Sequence, residues 1–214
     1  GHSTTLPVTL DHIIYHTAAV VRATTAVHVI ADMPFGTYGV DEATSVHNAV
    51  RVMQESGASA VKLEGGGSMA PLVRRMVDIG IPVMGHLGFT PQSVHRFGGH
   101  YVQGRGDAAD TLVDDARALE AAGAYAVVLE LVPAPLARRV TEAVSVPTIG
   151  IGAGGGTSGQ VLVSYDMLGM NASFNPKFLK KYADLSNTIL DATRRFCDEV
   201  RTGAYPDRDH AFDD

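Results

Sequence analysis

The chain has 214 residues, 45% of them hydrophobic, enough for one domain with a sizeable core. Its net charge of −6 comes from interspersed acids and bases without a long basic run, which argues against nucleic acid or an anionic membrane as the main partner. No apolar run approaches the roughly 20 residues of a transmembrane helix and no signal peptide is visible, while the single cysteine, Cys197, excludes an internal disulfide and fits a cytoplasmic location.

In chain order, PVTLDHIIYHTAAVVRAT reads as a helix with Pro7 near its first turn, followed by a strand over 27–34, VHVIADMP. DEATSVHNAVRVMQESGA is a second helix that ends on a glycine-bearing C-cap. Strand 59–66, SAVKLEGG, and helix MAPLVRRMVDIG come next, then strand 81–88, IPVMGHLG. Helix AADTLVDDARALEAAGA leads to strand 124–133, AYAVVLELVP, and helix PAPLARRVTEAV to strand 146–154, VPTIGIGAG. A sixth strand is expected over 159–168, GQVLVSYDML, and amphipathic helix over 175–214. The alternation of strand and helix predicts one α/β domain, 1–214, with a parallel sheet and no internal linker.

Asp32, Glu64, His86 and Glu130 each fall near the C-terminal end of a different strand. Converging strand ends are how a TIM barrel assembles its active site, whereas a doubly wound sheet concentrates ligand groups at one switch point. The expected fold is therefore a (βα)8 barrel. Six strands are readable where a barrel needs eight, and the other two are expected before Gly1.

Lys62 and Glu64 stand two apart in VKLEGGG, so a strand points both to one face. A buried charge must be paired, metal-bound or functional. The plain alternatives are a mutual Lys62–Glu64 ion pair, a capping role for Asp32 and a core role for His86. Glu130, between Leu129 and Leu131, has no easy structural role. As a working set, Asp32 and Glu64 offer the oxygen ligands that Mg²⁺ prefers. Glu130 in an apolar pocket is a candidate general base, and Lys62 would counter developing enolate charge. Together they suggest proton abstraction beside a carbonyl and carbon–carbon bond formation. The glycine-rich run 150–159 and the pair His12 and His16 are weaker candidates for phosphate and metal, respectively.

Several ordered motifs resemble the 3-methyl-2-oxobutanoate (ketopantoate) hydroxymethyltransferase family along essentially the whole chain: ADMPFGTY (31–38), VKLEGGGSMAP (61–71), VMGHLGFTPQSV (83–94), GGHYVQGRGD (98–107), PTIGIGAG (147–154) and GQVLVSYDMLG (159–169). The resemblance implies a barrel of the phosphoenolpyruvate/pyruvate type. It also implies transfer of a hydroxymethyl group from 5,10-methylenetetrahydrofolate to 2-oxoisovalerate, Mg²⁺ as cofactor and a homo-oligomer of ten subunits. It further implies Asp32 and Glu64 at the metal, Asp32, Lys62 and His86 at the keto acid, and Glu130 as the base. The family's GDS-like motif, with a further metal-binding Asp, would lie upstream of Gly1. Ser158 stands where the family carries an Asp before GQ. A barrel lyase or mutase acting without folate, and an inactive assembly subunit, remain alternatives.

Overall fold

A computed structural model describes residues 2–106 and 108–212; Asp107, the last residue of GGHYVQGRGD, lies outside them. Helix α1, Leu10–Ala23, starts at a reciprocal cap. The Thr9 hydroxyl accepts the His12 N–H at 3.2 Å, and His12 Nδ1 accepts the Thr9 N–H at 3.2 Å. His12 is thus a capping residue, and His16 sits exposed on the helix face. Strand β1 is Ile30–Asp32 and helix α2 is Glu42–Ser56, opened by Asp41 and closed by Gly57 at φ 74°. Then follow β2, Ala60–Glu64; α3, Ala70–Asp78; β3, Val83–Gly88; the single turn α4, Val94–Phe97; and α5, Ala108–Ala121. The order continues with β4, Ala126–Glu130; α6, Ala134–Ala143; β5, Thr148–Ile151; and β6, Gly159–Gln160. Two further helices are α7, Ser164–Met167, and α8, Leu185–Thr202.

All six strands pair parallel in the order β1-β2-β3-β4-β5-β6. A doubly wound sheet reverses its order at a switch point; this one runs on in a single direction, as barrel strands do. Its two faces differ. Val61, Leu63, Val83, Leu87, Val127 and Leu129 pack against helix residues such as Val52, Val73, Met76, Leu119 and Val140 in one large core. The opposite face carries a smaller apolar cluster of Met84, Ala126 and Val128, with Ile30, Ile149 and Ile151 against it. Burying a leucine such as Leu63 or Leu129 contributes about 1.5–3 kcal/mol. A one-residue slip would turn these side chains to the wrong face, so the helix-side core fixes which residues point inward.

The chain divides into two compact units, Gly1–Val161 and Leu162–Asp214. The first holds the whole sheet. Two expectations are corrected in the later part of the chain. The strand read over 159–168 stops at Gln160, and Ser164–Met167 is helical. Val161 and Val163 are both about half exposed, so an extended chain there gains little from alternating apolar side chains. The helix read over 175–214 begins only at Leu185. There the Asp184 carboxylate accepts the Asn187 N–H and its side-chain amide, at 3.4 and 2.7 Å, a start signal stronger than the apolar periodicity before it.

Candidate active site

On the inward face, residues alternate along each strand, so an apolar layer of Ile30, Met84, Ala126, Val128 and Ile149 lies below a polar one. The polar layer consists of Asp32, Lys62, Glu64, His86 and Glu130, at or next to the C-terminal ends of β1 to β4. Register brings them together: Asp32 is opposite Lys62, Glu64 opposite His86, and Glu130 opposite Gly88.

Four of the five form a continuous row. Lys62 Nζ lies 2.8 Å from Asp32 Oδ1 and 3.1 Å from His86 Nδ1, and His86 Nε2 lies 3.2 Å from Glu130 Oε2. The lysine thus pairs with Asp32 across two strands, and the Lys62–Glu64 ion pair does not form. His86 is almost fully buried at 3% exposure. Burial first, and the Lys62 ammonium second, hold its pKa well below the usual histidine value. The neutral ring accepts at Nδ1, since an ammonium can only donate, and therefore carries its proton on Nε2. That Nε2–H approaches Glu130 without the alignment of a hydrogen bond, and among the described residues it has no hydrogen-bond partner. It is a buried donor without an acceptor among them.

Burial pushes the Glu130 carboxyl up to about 7, with Lys62 opposing and the Glu64 and Asp32 charges adding to the rise. Glu64 is likewise raised by burial to about 7 against the pull of Lys62. Near neutral pH both sit at the midpoint between proton donor and acceptor. Asp32 and Glu64 also line one cavity of about 110 Å³ with Val8, Ile13, Pro34 and Phe35. Among the described residues, no group of three or more His, Cys, Asp and Glu is placed to hold a metal ion. Two carboxylates on one cavity, one of them desolvated, are oxygen donors of the kind that Mg²⁺ takes, and such an ion fills its remaining positions with water and substrate.

Glycines shape the rim. Gly88 has φ 90°, and a Cβ there would strike the Glu130 carbonyl and the Val132 side chain. Its absence lets the Phe89 N–H donate to that carbonyl at 2.8 Å. Leu131, directly after Glu130, holds φ 48°, a left-handed conformation that a leucine adopts only under restraint. A Cβ on Gly66 would strike the Asp115 carboxylate, which accepts the Gly67 N–H at 2.7 Å. The glycines of VKLEGGG thus admit a side chain of α5.

Two residues escaped the sequence reading. Tyr38 and Gln92 were visible only as parts of ADMPFGTY and FTPQSV, yet both hydrogen-bond at Glu64. Burial and the nearby Glu64 charge push the Tyr38 hydroxyl above its usual value, so it stays protonated. Ser158 exchanges hydrogen bonds with Thr148, Thr148 N–H to Ser158 Oγ at 3.1 Å and Ser158 N–H to Thr148 Oγ1 at 3.3 Å. Its role is to tie the glycine-rich loop to β5. From β6, Gln160 Nε2 donates back into that loop, to the Gly154 carbonyl and to Thr157.

The sequence model of the ketopantoate hydroxymethyltransferase family matches residues 1–208. A 3-methyl-2-oxobutanoate hydroxymethyltransferase of Trichlorobacter lovleyi is 52% identical over 99% of this chain and 80% of its own length. The corresponding proteins of Syntrophus aciditrophicus and Corynebacterium efficiens are 54% and 55% identical, over 99% and 96% of this chain and 78% and 77% of theirs. Among solved structures, one described as a lyase/mutase from Burkholderia cenocepacia J2315 superimposes with a TM-score of 0.52 at 22% identity, covering 96% of this chain and 70% of that one. The likeness shows a shared α/β barrel fold.

Proposed function

Because the chain belongs to the ketopantoate hydroxymethyltransferase family, we propose that it transfers a one-carbon unit from 5,10-methylenetetrahydrofolate to 3-methyl-2-oxobutanoate, forming 2-dehydropantoate. The observation that carries this reading is the row Asp32–Lys62–His86–Glu130, which ends in a carboxyl raised to about 7. Glu130, ionised, takes the C3 proton of the keto acid. Lys62 opposes the negative charge that develops on the enolate oxygen, and neutral His86 donates its Nε2–H there. One of the two carbon–nitrogen bonds of the methylene opens as its nitrogen takes up the proton removed from C3, leaving an iminium. The enolate carbon bonds to that carbon while the C=N pair returns to nitrogen. Water then displaces the remaining nitrogen, leaving its hydroxyl on the transferred carbon and its proton on the departing tetrahydrofolate. Asp32 and Glu64 would hold Mg²⁺, with Asp32 also facing the keto acid; when bound, the ion polarises the 2-keto group and acidifies C3.

The reading takes 1–214 as one functional domain in a cytoplasmic homo-oligomer of ten copies. No described helix is long and apolar enough to cross a membrane. Ile189, Phe196 and Val200 leave an exposed apolar stripe along α8, which supports self-association.

The test is turnover of 2-oxoisovalerate with methylenetetrahydrofolate and Mg²⁺, with and without chelator. Product is expected only with all three present. Glu130→Gln should still bind the keto acid but no longer exchange its C3 proton with solvent. Exchange that survives in this variant would remove Glu130 as the base. A barrel lyase or mutase acting on a phosphoenolpyruvate-like or 2-methylcitrate-like substrate would need no folate, and a titration showing no folate binding would favour it.

A further inference from the structure

Glu64 is held by a closed ring of hydrogen bonds. Its backbone N–H donates to the Tyr38 hydroxyl at 3.0 Å, and that hydroxyl donates to Gln92 Oε1 at 3.0 Å. The Gln92 backbone N–H donates to Glu64 Oε2 at 3.0 Å, which closes the ring. Gln92 Nε2 donates to the Met33 carbonyl at 2.8 Å, just past the end of β1. Every proton here has one possible direction. The Glu64 amide can only donate, so the Tyr38 oxygen accepts it and must send its own hydrogen onward. That in turn sets which end of the Gln92 amide faces Met33.

The ring joins three places that are far apart in sequence: the end of β1, the end of β2 and the turn after β3. Glu64 and Gln92 line both the cavity of about 110 Å³ and a second of about 220 Å³, with Tyr38 on the second. The Gln92 N–H donates to the Glu64 carboxylate, and the Gln92 side chain is tied to the Met33 carbonyl and the Tyr38 hydroxyl.

We propose that Tyr38 and Gln92 are positioning residues of the site, aiming the Glu64 carboxylate by locking the ends of β1, β2 and β3 to one another. The part of the proposal that concerns turnover rests on the transferase reading; the part that concerns the ring does not. Neither residue belongs to the row from Asp32 to Glu130.

The test uses Tyr38→Phe and Gln92→Leu, which keep volume and remove polar atoms. The first readout is hydrogen exchange at the Glu64 amide in the full chain. Tyr38→Phe should speed it by about tenfold, the loss of one hydrogen bond. The second is turnover: each variant should lower kcat by about ten- to a hundredfold with the keto acid KM within about threefold, as for a misplaced group. The double variant should be no worse than the poorer single one, since both cut the same ring. Unchanged amide exchange in Tyr38→Phe overturns the proposal, and so do kcat losses that multiply in the double variant. If the unaltered protein transfers no hydroxymethyl group, the transferase reading fails, while the exchange measurement still decides the ring.

Discussion

Lys62 Nζ stands 3.1 Å from His86 Nδ1 and 2.8 Å from Asp32 Oδ1, so one ammonium group serves a carboxylate on one side and a buried imidazole on the other. The consequence is a histidine that is neutral, with its proton on Nε2 and facing Glu130.

That state is open to measurement. The ¹⁵N shifts of His86 should report the Nε2–H tautomer throughout pH 6 to 8. Lys62→Met removes the second cause of the depressed pKa but leaves burial, the first. The His86 pKa should therefore move upward and still stay below the ordinary histidine value. A histidine that titrates normally in the unaltered protein would falsify the arrangement.

Glu130 makes stability and catalysis respond to pH in opposite senses. In the folded protein it holds its proton up to about pH 7, against an ordinary value of 4.5. Between those values the folded state binds more protons than the unfolded chain, so stability falls as pH rises. The contribution is full below about 4.5 and lost above about 7. Glu130→Gln should thus be more stable than the parent at pH 8, by up to about 3 kcal/mol, and equally stable near pH 4.5. Thermal unfolding at the two pH values checks this. If Glu130 is the base proposed above, the rate should show the reverse, with kcat rising through about pH 7 as it ionises.

Gly88→Ala should destabilise by about 2–4 kcal/mol. It adds a Cβ against the Glu130 carbonyl and Val132 at a positive φ. Because the displaced carbonyl belongs to Glu130, the proposed base, kcat should fall as well. Urea unfolding and turnover of the same preparation separate the two effects.

Ser158→Ala should lower stability by about 1–2 kcal/mol by leaving the fully buried Thr148 short of a partner. Keto acid kinetics should not change, because the residue ties a loop to β5 and touches none of the row from Asp32 to Glu130. A large loss of kcat without a loss of stability would give Ser158 a role in the site.

Much of this was legible in the residues alone. Strands with Val, Ile and Leu on both faces, separated by helical periodicity, dictate a covered parallel sheet. A lone carboxylate in VVLEL or a Lys-x-Glu in AVKLE is too unfavourable in an apolar interior to stand without a purpose. Asp32, Lys62, Glu64, His86 and Glu130 could thus be singled out one by one, each at its strand end. Their partners could not. Spacing within β2 makes Lys62 and Glu64 look like a pair, because sequence shows only neighbours on the same strand. Parallel pairing places Asp32 beside Lys62, 30 positions away, and there the shorter contact forms. The same holds for Tyr38 and Gln92, whose residue types are ordinary in turns and whose significance lies wholly in reaching Glu64. The chain determines which charges are buried, through the free energy of taking them out of water. Which charge meets which, and so which proton sits where, is decided by strand register and loop closure, and these exist only once the sheet has formed.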